Sequence, residues 1–200
     1  MNYNINTAPF REGDVPLPDT PSSPKGGKRR GIRLWRSERG ATLVEFAFIM
    51  VPFFMLIFGI FEVGFVFWGI YDLENATEDA AREIRTGQVY AGGVDVDGFK
   101  TRLCNRVTVL GNCMTKIRID VQSYDSFSQL SSPTPLDGDG NLQNNFTYSP
   151  GGPGQVVLVS AFYEWPLINA MTGVTLSNMA NGNRLLRASV AFRNEPFPEN

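Results

Sequence analysis

From Ala41 to Tyr71 the chain reads ATLVEFAFIMVPFFMLIFGIFEVGFVFWGIY, 31 residues in which Glu45 and Glu62 are the only charged side chains. As an α-helix this run would reach about 46 Å, more than the roughly 30 Å that a hydrocarbon core requires. A secretory signal has a shorter apolar region, about 7–15 residues, followed by a small-residue cleavage motif. This run is longer and ends without such an exit. A buried core helix is the alternative, but helices of water-soluble domains seldom stay apolar on every face over such a length. The run is therefore expected to cross a membrane.

Charge around the run gives it a direction. Residues 1–40 hold eight of the 18 Lys/Arg and four of the 20 Asp/Glu, a net +4, whereas residues 41–200 carry a net −6. Lys25, Lys28, Arg29, Arg30, Arg33, Arg36 and Arg39 face only Glu38. A basic block can be a nucleic-acid arm, a nuclear address or the cytoplasmic flank of a membrane helix. The apolar run that follows selects the last, so no nucleic-acid partner is expected. The N-terminus is then cytoplasmic and everything after Tyr71 lies outside. Cys104 and Cys113, the two cysteines of the chain, fall in that outer part, where a disulfide between them is expected. Two buried free thiols are the alternative.

Three regions follow from composition and periodicity. Residues 1–40 form a leader, with Pro9, Pro16, Pro18, Pro21 and Pro24 in a stretch expected to be disordered, then the basic segment. Residues 41–86 form one long helix, transmembrane in its first part. Beyond the membrane, Leu73, Ala76, Ala80 and Ile84 keep one face apolar, while Arg82, Arg85 and Gly87 mark the end. Pro52 should kink or weaken this helix. Residues 87–200 read as a small extracytoplasmic domain. Asp97 is expected to cap a helix with Phe99, Leu103, Val107 and Leu110 on one face. Strands are expected at 116–124, with Ile117, Ile119 and Val121 on one side, and at Gln155–Trp165 and Leu185–Phe192. Ser131–Gly154 is rich in Pro, Gly, Asp and Asn and reads as a long loop. The predicted class is α+β: a long N-terminal helix leaning on a small antiparallel sheet.

The junction between leader and helix carries the most specific signal. Arg36-Ser-Glu-Arg39-Gly40 is followed by Ala41-Thr-Leu-Val-Glu45-Phe46, a basic segment ending in glycine and then an apolar stretch with a glutamate at its fifth position. This resembles a prepilin processing site. An ionised acid within an apolar span costs about 2.5–3.5 kcal/mol on insertion scales, less near an interface, so Glu45 asks for a partner. The alternative is a chance acid near the membrane edge, reaching to water. Glu62 lies further along and is expected to be a solvated or snorkelling acid. Gly59, Gly64 and Gly69 could allow close helix contacts, and Trp68 and Tyr71 suit an interfacial belt.

ERGATLVEFAFIMVPFF and LENATEDAAREIRTGQ together resemble the TadE-like family of minor pilins or pseudopilins of tight-adherence pilus systems, over roughly residues 36–90. The resemblance implies that a prepilin peptidase cuts after Gly40 and leaves Ala41 as the new N-terminus. It assigns Glu45, with Phe46 beside it, to assembly, Glu45 pairing with the new α-amino group of its own chain or of a neighbour and setting the axial register. Other pilin subunits, the inner-membrane assembly platform and membrane lipid are the further partners it implies. Better-known type IV pilins begin with phenylalanine after the cut, and Ala41 departs from that pattern.

Other signals are weaker. Asp137-Gly-Asp139-Gly-Asn141 superficially resembles a calcium loop but has Leu142 where glycine is needed and Tyr148 where glutamate is needed, so a solvated turn is expected. Gly151-Gly-Pro-Gly154 lacks the lysine of a phosphate loop. Asn145-Phe-Thr147 fits a glycosylation acceptor, a weak signal in a bacterial-looking chain. The chain has no histidine, which excludes His-based triads and imidazole metal sites. No carboxylate pair stands out by its spacing. A non-enzymatic structural subunit without cofactor or metal is expected, with an uncleaved single-span binding or adhesion module as the alternative.

Overall fold

The computed structural model describes residues 38–168 and 176–198. The expected disordered stretch and most of the basic segment, including Arg36, fall outside the described residues. The fold is α+β. Helix α1 spans Glu38–Arg85 and is followed by a short α2 (Gln88–Ala91), α3 (Val96–Cys104) and a short α4 (Cys113–Lys116). Three antiparallel strands follow, β1 (Ile117–Tyr124), β2 (Val156–Trp165) and β3 (Arg184–Arg193), in the order β1-β2-β3. The register runs from Ile117↔Tyr163 to Tyr124↔Val156 and from Val156↔Arg193 to Trp165↔Arg184.

Helix α1 continues through Pro52 rather than breaking there. Proline removes one backbone donor, yet the residues on both sides of it stay helical, as apolar membrane-type helices tolerate. The helix ends where Gly87 turns to φ +77°, a left-handed conformation that side chains resist. A Cβ at Gly87 would also meet the Phe197 ring at 2.5 Å. The chain's last described residues are thus folded back on the helix end: Glu195 N–H donates to the Arg85 carbonyl at 2.9 Å, and the Tyr90 and Phe197 rings meet at a tilt with centroids 5.5 Å apart.

The expected cap of α3 is corrected. Asp95, not Asp97, is the N-cap, its carboxylate accepting from Gly98 N–H at 2.8 Å. Asp97 lies two residues further on, in the first turn, where it pairs with Lys100 at 3.4 Å. The helix also stops at Cys104, so Val107 and Leu110 reach the core from a loop rather than from the face shared by Phe99 and Leu103. Asp72 of α1 fixes that loop, accepting from Thr108 N–H at 2.8 Å and Val109 N–H at 3.0 Å. A disulfide joins Cys104 and Cys113, with Cα atoms 5.7 Å apart. Closing a loop this short contributes about 2–3 kcal/mol by restricting the unfolded chain.

The sheet is covered on both faces, which explains why β2 is apolar without alternation. Val157, Val159, Ala161 and Tyr163 join Ile117, Ile119 and Val121 in one core with Leu73, Ala76, Ala80 and Ile84 of α1. On the opposite face Phe162 stacks on Phe146 with centroids 5.3 Å apart. Phe146 belongs to the 131–154 segment, which also bridges β1 through Val121 and Tyr148. The Tyr148 hydroxyl donates to the Val94 carbonyl at 3.2 Å; burial, aided by the Asp95 charge, pushes its pKa up to about 12, so it stays a donor at neutral pH.

Candidate functional site

Helix α1 divides by exposure. Its side chains from Thr42 to Phe61 are exposed or half-exposed, among them Phe48 at 78%. Those twenty residues span about 30 Å, the thickness of a hydrocarbon core. An 18-residue window here has a mean hydropathy of 2.4 with none of it buried. Among the described residues, α1 is the one helix long and apolar enough to cross a membrane. From Glu62 onward one stripe turns inward at helical spacing: Val66, Gly69, Leu73, Ala76, Ala80 and Ile84 are buried. Small side chains let the sheet approach closely. A Cβ on Gly69 would lie 2.8 Å from the Trp165 ring, whereas one on Gly64 would meet nothing within 4 Å.

The residues singled out at the junction lie in the unpacked half. Gly40 and Ala41 are helical, inside α1 rather than at its start; Gly40 is half-buried, and the Ala41 side chain lies outside what is described. Glu45 and Phe46 are both exposed, Phe46 at 59%. Lipid or another helix must cover such a surface, since a contiguous apolar patch of this extent does not persist in water.

Glu62 is not the solvated acid that its position suggested. It is 8% exposed, and its Oε1 accepts from the backbone N–H of Ile168 at 2.6 Å. The reason is tertiary. The sheet rests on α1 from this level upward, and the chain leaving β2 brings a backbone donor to the carboxylate. A buried acid paired in this way positions the β2–β3 connection against the helix.

A second carboxylate that sequence reasoning missed ties α1 to α3. Glu83 accepts from both the Arg102 and the Arg106 guanidinium. Burial pulls its pKa up, but the hydrogen bonds and charges of the two arginines outweigh it and hold the carboxyl below the usual carboxylate range. The arginines at i and i+4 were the available sequence signal; nothing local named their partner. A depressed acid stabilises the fold above its unfolded pKa, and that contribution is lost as pH falls through the folded one. Glu83→Gln should lower the unfolding free energy by about 1–2 kcal/mol at neutral pH. In urea titrations the gap to the parent chain should close as pH drops from about 7 to about 3. A gap independent of pH would show that the pair has no such linkage.

Residues 40–82 match the family model described as TadE-like protein. The match takes in Gly40, Ala41, Glu45, Phe46 and Glu62 and runs along most of the docked half of α1. Comparison with curated proteins and with solved structures gave no match.

Proposed function

We propose, on the match of residues 40–82 to the TadE-like model, that the chain is a structural minor pilin or pseudopilin of a tight-adherence pilus. In this reading it inserts into the bacterial inner membrane by α1, with its N-terminus cytoplasmic and residues 87–200 outside. A prepilin peptidase cuts between Gly40 and Ala41. The released subunit then packs through the exposed half of α1 against other pilin subunits, under the control of the inner-membrane platform. One observation carries the reading: within the family match, a helix segment of membrane length has no buried side chain, while its continuation is docked on a folded domain. Such a helix is built to exchange lipid for other helices. The Cys104–Cys113 disulfide fits a domain held in an oxidising compartment.

The uncut anchor is the competing account, since it keeps the same helix and outer domain. The mature N-terminus separates the two. Sequencing of membrane-extracted protein should begin Ala-Thr-Leu-Val-Glu. A mature chain that begins at Met1 would remove the pilin reading and leave the anchor.

A further inference from the structure

The connection from β2 to β3 leaves the end of the sheet nearest the apolar half of α1. β2 finishes at Trp165, whose ring packs where Gly69 leaves room, and the next described residues descend past Glu62. Ile168 is held there by its backbone, its N–H on the Glu62 carboxylate, while its side chain is 77% exposed. On the return, Leu176 lines a cleft of about 460 Å³ together with Met55, Gly59 and Ile60 of α1. Gly59 and Met55 precede Glu62 by three and seven residues, placing them about 4 and 10 Å further toward the membrane interior. Glu62 and Val63 line the same cleft, so Leu176 faces the outer end of the span across it.

Composition beside Ile168 agrees with a lipid contact: Trp165, Pro166 and Leu167 are uncharged, and the nearest charge, Glu164, stays on β2. An exposed isoleucine fixed by its backbone next to an uncovered apolar helix has no folding purpose in water. Beside lipid it continues one apolar surface.

We infer that Ile168 is a second membrane contact, its side chain seated among the acyl chains of the outer leaflet beside α1 and its backbone positioned there by Glu62. The inference rests on the reading of residues 42–61 as the membrane span. The contact gives the α1-docked outer domain a second point on the bilayer and so limits its tilt against the membrane surface.

The test places a single cysteine in the full-length chain, at Ile168→Cys, Phe58→Cys or Ser128→Cys, and labels it with a bimane fluorophore; the native cysteines are joined and do not react. Ser128 is exposed beyond β1, at the opposite end of the sheet. Each protein is reconstituted in vesicles of phosphatidylethanolamine and phosphatidylglycerol, with or without brominated acyl chains. Brominated lipid should remove most of the fluorescence at positions 168 and 58 and leave position 128 unchanged, while aqueous iodide should do the reverse. Loss at 58 with iodide quenching at 168 would overturn the inference and leave the span intact. A label at 168 shielded from both quenchers would also overturn it, in favour of contact with a second copy. Iodide quenching at position 58 would remove the span reading itself, and the inference with it.

Discussion

Replacing Leu73 with alanine should lower the unfolding free energy of the outer domain by about 3–5 kcal/mol. Leu73 is 0% exposed and sits at the centre of the face that α1 presents to the sheet, packed in one core with Ile117, Val159 and Leu186. Shortening it removes three carbons that no neighbour can replace, because β2 behind it is itself covered from the far side. A domain of this size has about 5–15 kcal/mol in total, so much of its margin would go. Urea unfolding in detergent micelles, followed by tryptophan fluorescence, reads the effect. Leu56→Ala is the matched substitution on the uncovered half and should leave that transition where it was, since Leu56 is exposed. Equal shifts from the two variants would mean that the outer domain does not depend on the docked face of α1.

Glu45→Gln should abolish most incorporation into sheared pilus fractions while the chain still inserts, folds and is cut. The amide keeps the size of the side chain and removes the charge, which makes the span easier to place in lipid. The Gly40–Ala41 bond is untouched, so processing survives. In the proposed reading, what disappears is the attraction between an acid in the apolar helix and the α-amino group that cleavage would create four residues before it. An exposed pair in water would be worth less than about 1 kcal/mol, whereas breaking a buried one costs about 3–5 kcal/mol. Glu62→Gln makes an instructive comparison. Its carboxylate already has an intramolecular donor in Ile168 N–H, and a glutamine oxygen can still accept that bond, so assembly should hold. Normal incorporation of the Glu45 variant would reduce Glu45 to an ordinary interfacial acid and favour the uncut anchor.

The span, the end of the helix at Gly87 and the three strands were legible because each is written in a local pattern: an apolar run, a glycine after two arginines, stretches of β-branched and aromatic residues. The junction glycine and glutamate stand out as a motif and fall within the TadE-like match. What escaped depends on partners distant in sequence. Glu62 and Ile168 are 106 residues apart, and Asp72 reaches Thr108 across 36. The segment 131–154 looked like an ordinary loop because its turn residues dominate its composition. Phe146 and Tyr148 are the signs that it packs, and they become readable only once β2 is seen to need cover on a second face. The cap of α3 was misplaced by two residues because Asp95 and Asp97 are equivalent as a pattern, and only the position of Gly98 N–H distinguishes them.

The docking of α1 along the sheet also has a mechanical side. Leu186 lies against Gly69, and Ala188, Val190 and Phe192 join the core that Leu73, Ala76, Ala80 and Ile84 of α1 share, so β3 packs along much of the helix's outer half. From Glu62 to Ile84 that seam is about 33 Å long. A pull along the helix axis is borne in shear by the whole seam at once, instead of peeling contacts one after another. The far end, where peeling would start, is the one clasped by Glu195 and Phe197. A subunit gripped by its helix and loaded through its outer domain thus meets tension along its strongest direction.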